Sequence, residues 1–271
     1  MAGDAAYAAG VSIVASPDPI PCASHPCASR RALIRALAGW GLVSALEASV
    51  SRPRAAASGG SVPDVQSALV IVDVQNCFVS GGSLAVPHGE DVVPVINRLA
   101  GSFATVVATQ DWHTPGHISF ASSHPGKKPF ETIDLAYGTQ VLWPDHCVMG
   151  TDDAQLVRGL DAAKLQLVIR KGFHQNLDSY SAFAEADRGT ATGLAGYLKE
   201  RHIRRVFVCG LATDFCVAWT ALDARNMGFE TAVIEDACRG IDLNGSLDAA
   251  WASMKSAGVH RIRSADLRAF S

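Results

Sequence analysis

The chain has 271 residues and a net charge of −3 at pH 7, with 48% hydrophobic and 18% charged residues. This ordinary composition excludes a collagen, a charged coiled coil and a wholly disordered protein, and no apolar run reaches the roughly 18 residues of a membrane-spanning helix. The slight negative charge creates no field that would attract nucleic acid or an anionic membrane, so the expected partner is a small molecule.

Residues 1–66 differ in composition from the rest of the chain. They contain six of the twelve prolines but only two aromatic residues, so we expect a largely disordered extension before a working domain at residues 67–271. Within it, Arg30 and Arg31 precede an uncharged apolar stretch at 36–46 and small residues at 55–57, an order that resembles a twin-arginine export signal. A short amphipathic helix and a start codon placed too far upstream are the alternatives. Periplasmic and cytoplasmic localisation therefore both stay open, as does the oligomeric state.

From residue 69 onward, short β-rich runs alternate with longer helical patterns. Strands are predicted at Leu69–Val74, Thr105–Thr109, Gln166–Arg170, Arg205–Cys209, Glu230–Ile234 and Val259–Ile262. Helices are predicted at Glu90–Ala100, Ala191–Arg201, Asp214–Met227 and Ser246–Ala257, and Asp223 and Arg225 in the third of these are interpreted as solvated charges. The alternation is typical of βαβ units. It predicts a doubly wound α/β fold, with a mostly parallel sheet covered by helices on both faces.

Cys216 stands just past the fourth predicted strand, in the first turn of the next helix. The seven cysteines are too sparse for a disulfide scaffold, and their odd number predicts at least one free thiol unless one pairs with another chain. A helix N-terminus lowers the pKa of a thiol, and its backbone amides can hold an oxyanion. A single cysteine in a helix is more often an inert core residue, so the assignment of a nucleophile depends on its neighbours.

Asp73 and Lys171 are charged residues at the ends of two apolar strands. Hiding such charges is costly unless they are paired or functional. One interpretation is a structural ion pair between adjacent strands. The other is a catalytic triad, in which Asp73 takes the proton of the Cys216 thiol while Lys171 holds the carboxylate and favours the thiolate.

A second polar cluster follows the second strand. Asp111 and His113 lie two residues apart, so in an extended segment their side chains point the same way. A further imidazole from His146 would complete a set of one carboxylate and two histidines with open positions, which suits Zn²⁺ or Fe²⁺. His117 is a candidate fourth ligand or a residue that orients the others.

Together these motifs resemble the nicotinamidase/pyrazinamidase branch of the isochorismatase-like cysteine hydrolases. The segments that carry the resemblance are Leu69–Phe78, Gly81–Leu84, Thr109–His113, Trp143–Cys147, Arg170–Gly172, Asp178–Ser181 and Gly210–Cys216. They occur in order between about residues 67 and 268 and leave out the extension. The resemblance implies an isochorismatase-like fold, a cytoplasmic default, and hydrolysis of nicotinamide, with pyrazinamide a second substrate, to the acid and ammonia through a cysteine thioester.

The same resemblance assigns roles to individual residues. It implies a catalytic triad of Asp73, Lys171 and Cys216, an oxyanion hole formed by the amides of Ala212 and Cys216, and a cis peptide bond between Leu211 and Ala212. It implies one divalent ion, zinc or iron with manganese as a third candidate, on Asp111, His113 and His146, with His117 at a variable position. It places the pyridine ring between Phe78 and Trp143, near Tyr180 and Leu211.

Two other functions compete with this hypothesis. Relatives that act on ureido, carbamoyl or isochorismate substrates share the aspartate, lysine and cysteine but generally lack the full metal pattern. A non-catalytic sensor or scavenger would bind a pyridine or a metal without turnover, which the intact catalytic set disfavours.

Overall fold

The computed structural model describes residues 63–267 of the chain. The segment that resembles an export signal lies outside the described residues, as does nearly all of the predicted extension. Within residues 63–267, no helix is long and apolar enough to cross a membrane.

The predicted α/β fold is confirmed. The strands are β1 Ser67–Val72, β2 Thr105–Asp111, β3 Thr132–Leu135, β4 Gly138–Val141, β5 Leu167–Lys171, β6 Arg205–Leu211, β7 Glu230–Arg239 and β8 His260–Ile262. The α-helices are α1 Val92–Ala100, α2 Leu194–Glu200, α3 Ala218–Asn226 and α4 Ser246–Ser256. The hairpin of β3 and β4 was not predicted, because it is short, largely exposed and without an apolar run.

Six strands form one parallel sheet in the order β5-β2-β1-β6-β7-β8. The chain builds outward from β1 through β2 to β5 and then returns to β6 on the other side of β1. Right-handed crossovers in these two opposite directions place helices on opposite faces of the sheet. The order reverses between β1 and β6, and a ligand site is expected beyond the carboxyl ends of strands at such a point.

Strands β1 and β6 form the centre of the sheet because their residues suit burial on both faces. All six positions of β1, Ser-Ala-Leu-Val-Ile-Val, are buried, as expected for a central parallel strand. Gly210 has φ +115°, and a Cβ atom built on it would lie 2.1 Å from the carbonyl oxygen of Val72. A glycine is therefore required where the two strands end side by side.

The helix predicted from Asp214 is divided in the structure. Residues 213–217 form a π-helical turn, and regular α-helix begins only at Ala218. Its two charges are not solvated as expected. Asp223 is only 7% exposed and accepts a hydrogen bond of 2.7 Å from Arg188, while Arg225 donates to the carbonyls of Phe229 and Ala257. The interpretation was wrong because this face of α3 packs against other segments that supply partners.

Candidate active site

The four polar side chains predicted at the strand ends converge in the structure. Asp73 follows β1, Asp111 ends β2, Lys171 ends β5 and Cys216 follows β6, and all four are 6% exposed or less. They lie at the edge where the strand order reverses. The sequence correctly predicted this cluster because parallel strands bring their carboxyl ends to one edge.

Lys171 is the centre of the cluster. Its Nζ lies 2.8 Å from Oδ2 of Asp73 and 3.4 Å from Sγ of Cys216, donates 3.0 Å to the Ser179 carbonyl and is hydrogen bonded to Asp111. Burial alone would lower the pKa of this lysine, but the charges of Asp111 and Asp73 outweigh it and hold the pKa well above its usual value. The ammonium is therefore permanently charged, and it cannot serve as a base near neutral pH.

Asp73 is held in a conformation in which one oxygen faces Thr109 and the other faces the Lys171 ammonium. Its backbone is left-handed, with φ +47°, and Oδ1 accepts a 2.5 Å hydrogen bond from Thr109, whose Oγ1 also accepts the Asp73 N–H. Oδ2 is paired with Lys171 by charge, but no hydrogen bond of good geometry ends on it. Burial, supported by the charge of Asp111 and opposed by that of Lys171, raises the pKa of Asp73 to about 6. A carboxyl with this pKa can both take and return a proton near neutral pH.

The pKa of the Cys216 thiol differs from the sequence prediction. Burial raises its pKa well above the usual value, and the carboxylates of Asp73 and Asp111 add to this effect against the charge of Lys171. The sequence predicted that the helix N-terminus would lower this pKa. The pKa is raised instead, because the thiol is desolvated and faces two negative charges. The resting group is a thiol, so attack requires a base, and Asp73 is the adjacent candidate.

The three predicted metal-ligating residues form a second group beside the first. Oδ2 of Asp111 lies 3.7 Å from Nε2 of His113 and 3.9 Å from Nε2 of His146. The Nδ1 atoms lie 2.9 and 2.8 Å from the carbonyls of Gly172 and Pro144, to which each can donate. Each Nε2 lone pair is then directed at the carboxylate across a gap too long for a hydrogen bond. This donor set fits a divalent ion between the three atoms.

The electrostatics of this group support the same conclusion. Burial and the neighbouring His113 lower the pKa of His146 to about 4, so this imidazole is neutral and able to bind a metal. Burial lowers the pKa of His113, but Asp111 raises it more, because a positive charge beside that carboxylate is favourable. A divalent cation would supply the same charge in place of the proton.

His117 lies next to this group rather than in its centre. Its ring centroid is 4.3 Å from that of His113, Nδ1 lies 2.8 Å from Ser119 Oγ, and Nε2 lies within 3.2 Å of the carbonyls of His174 and Leu177. With both nitrogens engaged, this arrangement suits a residue that orients His113 better than a fourth ligand.

Gln75 is a positioning residue that sequence reasoning missed. Its Nε2 donates to the carbonyls of Asp111 and Ala154, and its Oε1 accepts the Asp111 N–H, each at 2.8 Å. The side chain thus fixes the backbone that carries the carboxylate of Asp111, a candidate metal ligand. Gln75 lies in the Leu69–Phe78 segment that carries the family resemblance, but nothing in the sequence alone reveals its contact with Asp111.

Gly172 restricts the position of His113, and its replacement tests the metal group. A Cβ atom at Gly172 would lie 2.6 Å from Cε1 and 2.8 Å from Nδ1 of His113. We expect Gly172→Ala to displace the imidazole and weaken zinc binding by about tenfold or more, as measured by competition with a chelating dye. Gly193→Ala is the matched control, since its φ of +95° imposes a similar strain but no atom lies within 4 Å. Equal zinc affinities in the two variants would contradict the assignment.

An aromatic pocket opens onto both groups. It is narrow, with a cavity volume of about 20 Å³, and Asp111, His146, Ala212 and Cys216 contribute to its lining. The remaining lining residues are Phe78, Leu84, Trp143, Tyr180, Phe215 and Ile241. The aromatic side chains of this lining suit a ligand with a planar aromatic ring.

Leu211 is not part of this lining, contrary to expectation. It is fully buried, and its side chain lies toward Gly89. Phe215, Leu84 and Ile241 were not expected in the pocket. Phe215 could have been suspected from its position next to Cys216, whereas the other two come from loops that carry no periodic signal.

Two further contacts shape the pocket wall. Tyr180 accepts hydrogen bonds of 3.0 Å from Trp143 Nε1 and from Gln140 at the end of the β3–β4 hairpin. Asp214, the first residue of the predicted third helix, is buried, and its carboxylate accepts the N–H groups of Ile241 and Asp242. It therefore anchors the loop that brings Ile241 to the pocket.

The expected cis peptide bond between Leu211 and Ala212 is present. It ends β6 immediately before the π-helical turn that carries Cys216. The Ala212 N–H donates to no backbone or side-chain group of residues 63–267. It is therefore available to a ligand at the place where the resemblance puts an oxyanion hole.

Comparison with known proteins gives a consistent result. Residues 67–266 match the model of the isochorismatase domain. The chain is similar to a nicotinamidase of Acinetobacter baylyi, with 60% identity over 200 residues that cover 74% of this chain and 94% of the relative.

Two solved structures are similar to the described fold. A nicotinamidase and pyrazinamidase of Acinetobacter baumanii superimposes with a TM-score of 0.74 at 63% identity, over 75% of this chain and 98% of the other. A pyrazinamidase of Pyrococcus horikoshii in complex with zinc superimposes with a TM-score of 0.58 at 34% identity, over 73% and 99% of the two chains.

Proposed function

Because the chain belongs to the isochorismatase family and, within it, to the nicotinamidase amidohydrolases, we propose that it hydrolyses nicotinamide to nicotinate and ammonia by a metal-dependent cysteine mechanism. Pyrazinamide, which has the same carboxamide on a similar ring, is the second expected substrate. The small-molecule pocket is the only partner site that the mechanism requires.

One observation carries the proposal. The thiol of Cys216, the lysine that contacts it and the aspartate paired with that lysine lie in one buried cluster, and the metal-ligating group shares Asp111 with that cluster. Both groups face a pocket lined by aromatic rings. A planar pyridine carboxamide would place its ring nitrogen toward one group and its carbonyl carbon toward the other.

Asp111, His113 and His146 would hold the divalent ion. When bound, that ion supplies a Lewis acid for the ring nitrogen, which would orient the substrate. The zinc in the pyrazinamidase of Pyrococcus horikoshii supports zinc as the first candidate here, ahead of iron and manganese. Phe78 and Trp143 would hold the ring between them, with Tyr180 beside them.

The first half-reaction makes the thioester. Asp73 takes the Sγ proton of Cys216, and the sulfur electron pair attacks the carboxamide carbon, whose oxygen becomes negative. The N–H groups of Ala212 and Cys216 would stabilise that oxyanion. The intermediate collapses when Asp73 gives its proton to the nitrogen and the C–N bond breaks, which releases ammonia. Lys171 stays charged throughout and stabilises both the carboxylate and the developing thiolate.

The second half-reaction releases the acid. Asp73 removes a proton from a water molecule, whose oxygen attacks the thioester carbon and forms the same type of oxyanion. Collapse breaks the C–S bond, and the sulfur of Cys216 takes back the proton from Asp73. The enzyme returns to its starting protonation state.

A pH profile tests the role of Asp73. Its carboxyl must be ionised to accept the thiol proton, so kcat/KM for nicotinamide should rise with pH through about 6 and then level off. Thr109→Val removes a hydrogen bond that lowers this pKa, and we expect the rising limb to shift to higher pH. Thr231→Val is the control. The buried Thr231 hydroxyl donates a hydrogen bond to the Phe229 carbonyl at the start of β7, at the edge of the sheet opposite the candidate site. A limb that stays in place in Thr109→Val would exclude Asp73 as the titrating base.

Ammonia release with chelation is the direct test of the function. We expect turnover of nicotinamide by the full chain, its loss when a chelator removes the ion, and its recovery when zinc is added. Asp111→Asn should lose both zinc and activity. Ureidoacrylate serves as the alternative substrate, because relatives with a ureido activity share the fold. If zinc-loaded protein released ammonia from nicotinamide no faster than a control without enzyme, the proposal would be contradicted. Faster turnover of ureidoacrylate than of nicotinamide would favour a ureido-directed hydrolase instead.

A further inference from the structure

A disulfide bond joins two of the segments that form the candidate site. Cys77 and Cys147 are 70 positions apart in the sequence, their Cα atoms are 5.6 Å apart, and both residues are fully buried. Cys77 lies in the short 3₁₀ turn after β1, and Cys147 lies in the loop after β4. Among residues 63–267 the other cysteines, Cys209, Cys216 and Cys238, are free thiols.

Each half of the disulfide is next to a residue of the site. Cys77 precedes Phe78 of the pocket lining, and Cys147 follows His146 of the metal-ligating group. The Cys147 carbonyl also accepts a 3.1 Å hydrogen bond from the His113 N–H. One half-cystine is therefore bonded to one candidate ligand through the chain and to a second through a hydrogen bond.

Asp153 connects the two halves without involving sulfur. Its carbonyl accepts the Cys77 N–H at 2.8 Å, and its carboxylate accepts the Cys147 N–H at 3.1 Å. The same carboxylate accepts the Ser83 hydroxyl at 2.6 Å. Polar contacts thus keep the two segments together, so the loops remain close to each other when the sulfur–sulfur bond is broken.

The covalent bond adds restraint where regular structure is lacking. His146 lies in a loop between β4 and β5, where isolated β-bridges pair Trp143 with Phe120 and Val148 with His113 but no continuous ladder or helix includes His146 itself. Metal affinity is higher when the ligand side chains already have the metal-bound geometry before the metal arrives. Any conformational freedom that these side chains lose on binding reduces the affinity. Removing the cross-link would let His146 move while the rest of the fold stays in place.

We propose that the Cys77–Cys147 disulfide is a positioning element of the metal centre, which holds His146 against Asp111 and thereby sets metal affinity. This inference rests on the metal centre of the proposed function. It goes beyond fold stabilisation in one respect: since coupling between two events is reciprocal, bound metal must in turn protect the disulfide from reduction.

Zinc affinity measured in both redox states tests the inference. A water-soluble phosphine reduces the bond, with two electrons and two protons entering the sulfurs to give two thiols while the phosphine takes the oxygen of water. We expect reduction of the wild-type chain to weaken zinc binding by about tenfold, as measured by competition with a chelating dye. The variant C77A/C147A should show the weakened affinity from the start and no response to the phosphine.

The rate of reduction is the second measurement. Because both sulfurs are buried, the phosphine reaches them only when the loops open, so thiol formation should be several times slower with saturating zinc than with a chelator. The reduced wild type suffices for both measurements if C77A/C147A fails to fold. A cross-link that only stabilises the fold would lower the melting temperature on reduction without changing zinc affinity.

The outcomes separate this inference from the proposed function. Equal zinc affinity in oxidised and reduced protein, or a reduction rate unaffected by zinc, would overturn the inference and leave the metal centre standing. Wild-type protein that binds no zinc would overturn the metal centre and the inference together. Weaker binding after reduction together with protection by zinc would support both.

Discussion

Cys216→Ala should release no ammonia from nicotinamide above background, with kcat reduced by at least about 10⁴-fold. Losses of this size are typical when a covalent nucleophile is removed, because the residual rate comes only from binding and oxyanion contacts. The structure provides no substitute, since Lys171 is permanently charged and Asp73 would have to act on water without a thioester to attack. Steady-state ammonia assays on purified protein measure the effect.

Cys209→Ala is the matched control for this variant. Cys209 is also a buried free thiol, but its sulfur faces the Val70 carbonyl within the sheet. Cys209→Ala should therefore hydrolyse nicotinamide at the wild-type rate.

Cys216→Ala should still bind zinc and remain folded. Rapid quenching of the wild-type reaction should reveal a nicotinoyl adduct on Cys216 by mass spectrometry. Substantial turnover by Cys216→Ala, or an adduct on another residue, would disprove the assignment.

Lys171→Met should lower the free energy of unfolding by about 3–5 kcal/mol at pH 7 when measured without metal. Removing one partner of a buried ion pair leaves an uncompensated buried charge. Here a single ammonium faces the carboxylates of Asp73 and Asp111, all within a cluster that is almost fully buried. Methionine is close to lysine in length and keeps most of the packing. Urea denaturation measures the loss.

The pH dependence identifies the cause of that loss. The charge of Lys171 lowers the pKa of both carboxyls in the wild-type fold, so without the ammonium both pKa values lie higher and the folded variant binds protons more tightly than the folded wild type. Its deficit should therefore be largest at neutral pH and should shrink as pH falls and the carboxyls become neutral. Lys127→Met, which removes a half-exposed lysine paired with Glu131, should change stability by less than about 1 kcal/mol. A deficit independent of pH would indicate a packing defect instead.

The strands and their functional ends could be predicted because the signals are local. Strand β1 is a continuous apolar run, and a charged residue at its end is recognisable without knowing its partners. Similar signals placed Asp111, Lys171 and Cys216 at one edge of the sheet. Strands that run parallel end at the same edge of the sheet, so residues recognised at separate strand ends lie close together in the structure.

Other features depend on pairs of residues far apart in the chain. The partners of Asp214, the hydrogen bonds of Gln75 to Asp111 and the pairing of Cys77 with Cys147 join residues between 27 and 70 positions apart. No periodic pattern encodes which segments meet. The β3–β4 hairpin was missed because its two strands are short and largely exposed and contain no apolar run, although Gln140 within it donates a hydrogen bond to Tyr180.

The sequence alone determined the order of strands and helices, the edge at which chemistry gathers, and the residue types of the two polar groups, because hydrophobic periodicity and covalent neighbours record these. Only the tertiary structure decided the protonation state of each group and the exact membership of the pocket. Burial raises the pKa of the Cys216 thiol, and it also raises the pKa of Asp73, whose Oδ2 is paired with Lys171, to about 6. Such properties arise from desolvation and from charges a few ångströms apart, and both exist only once the chain has folded.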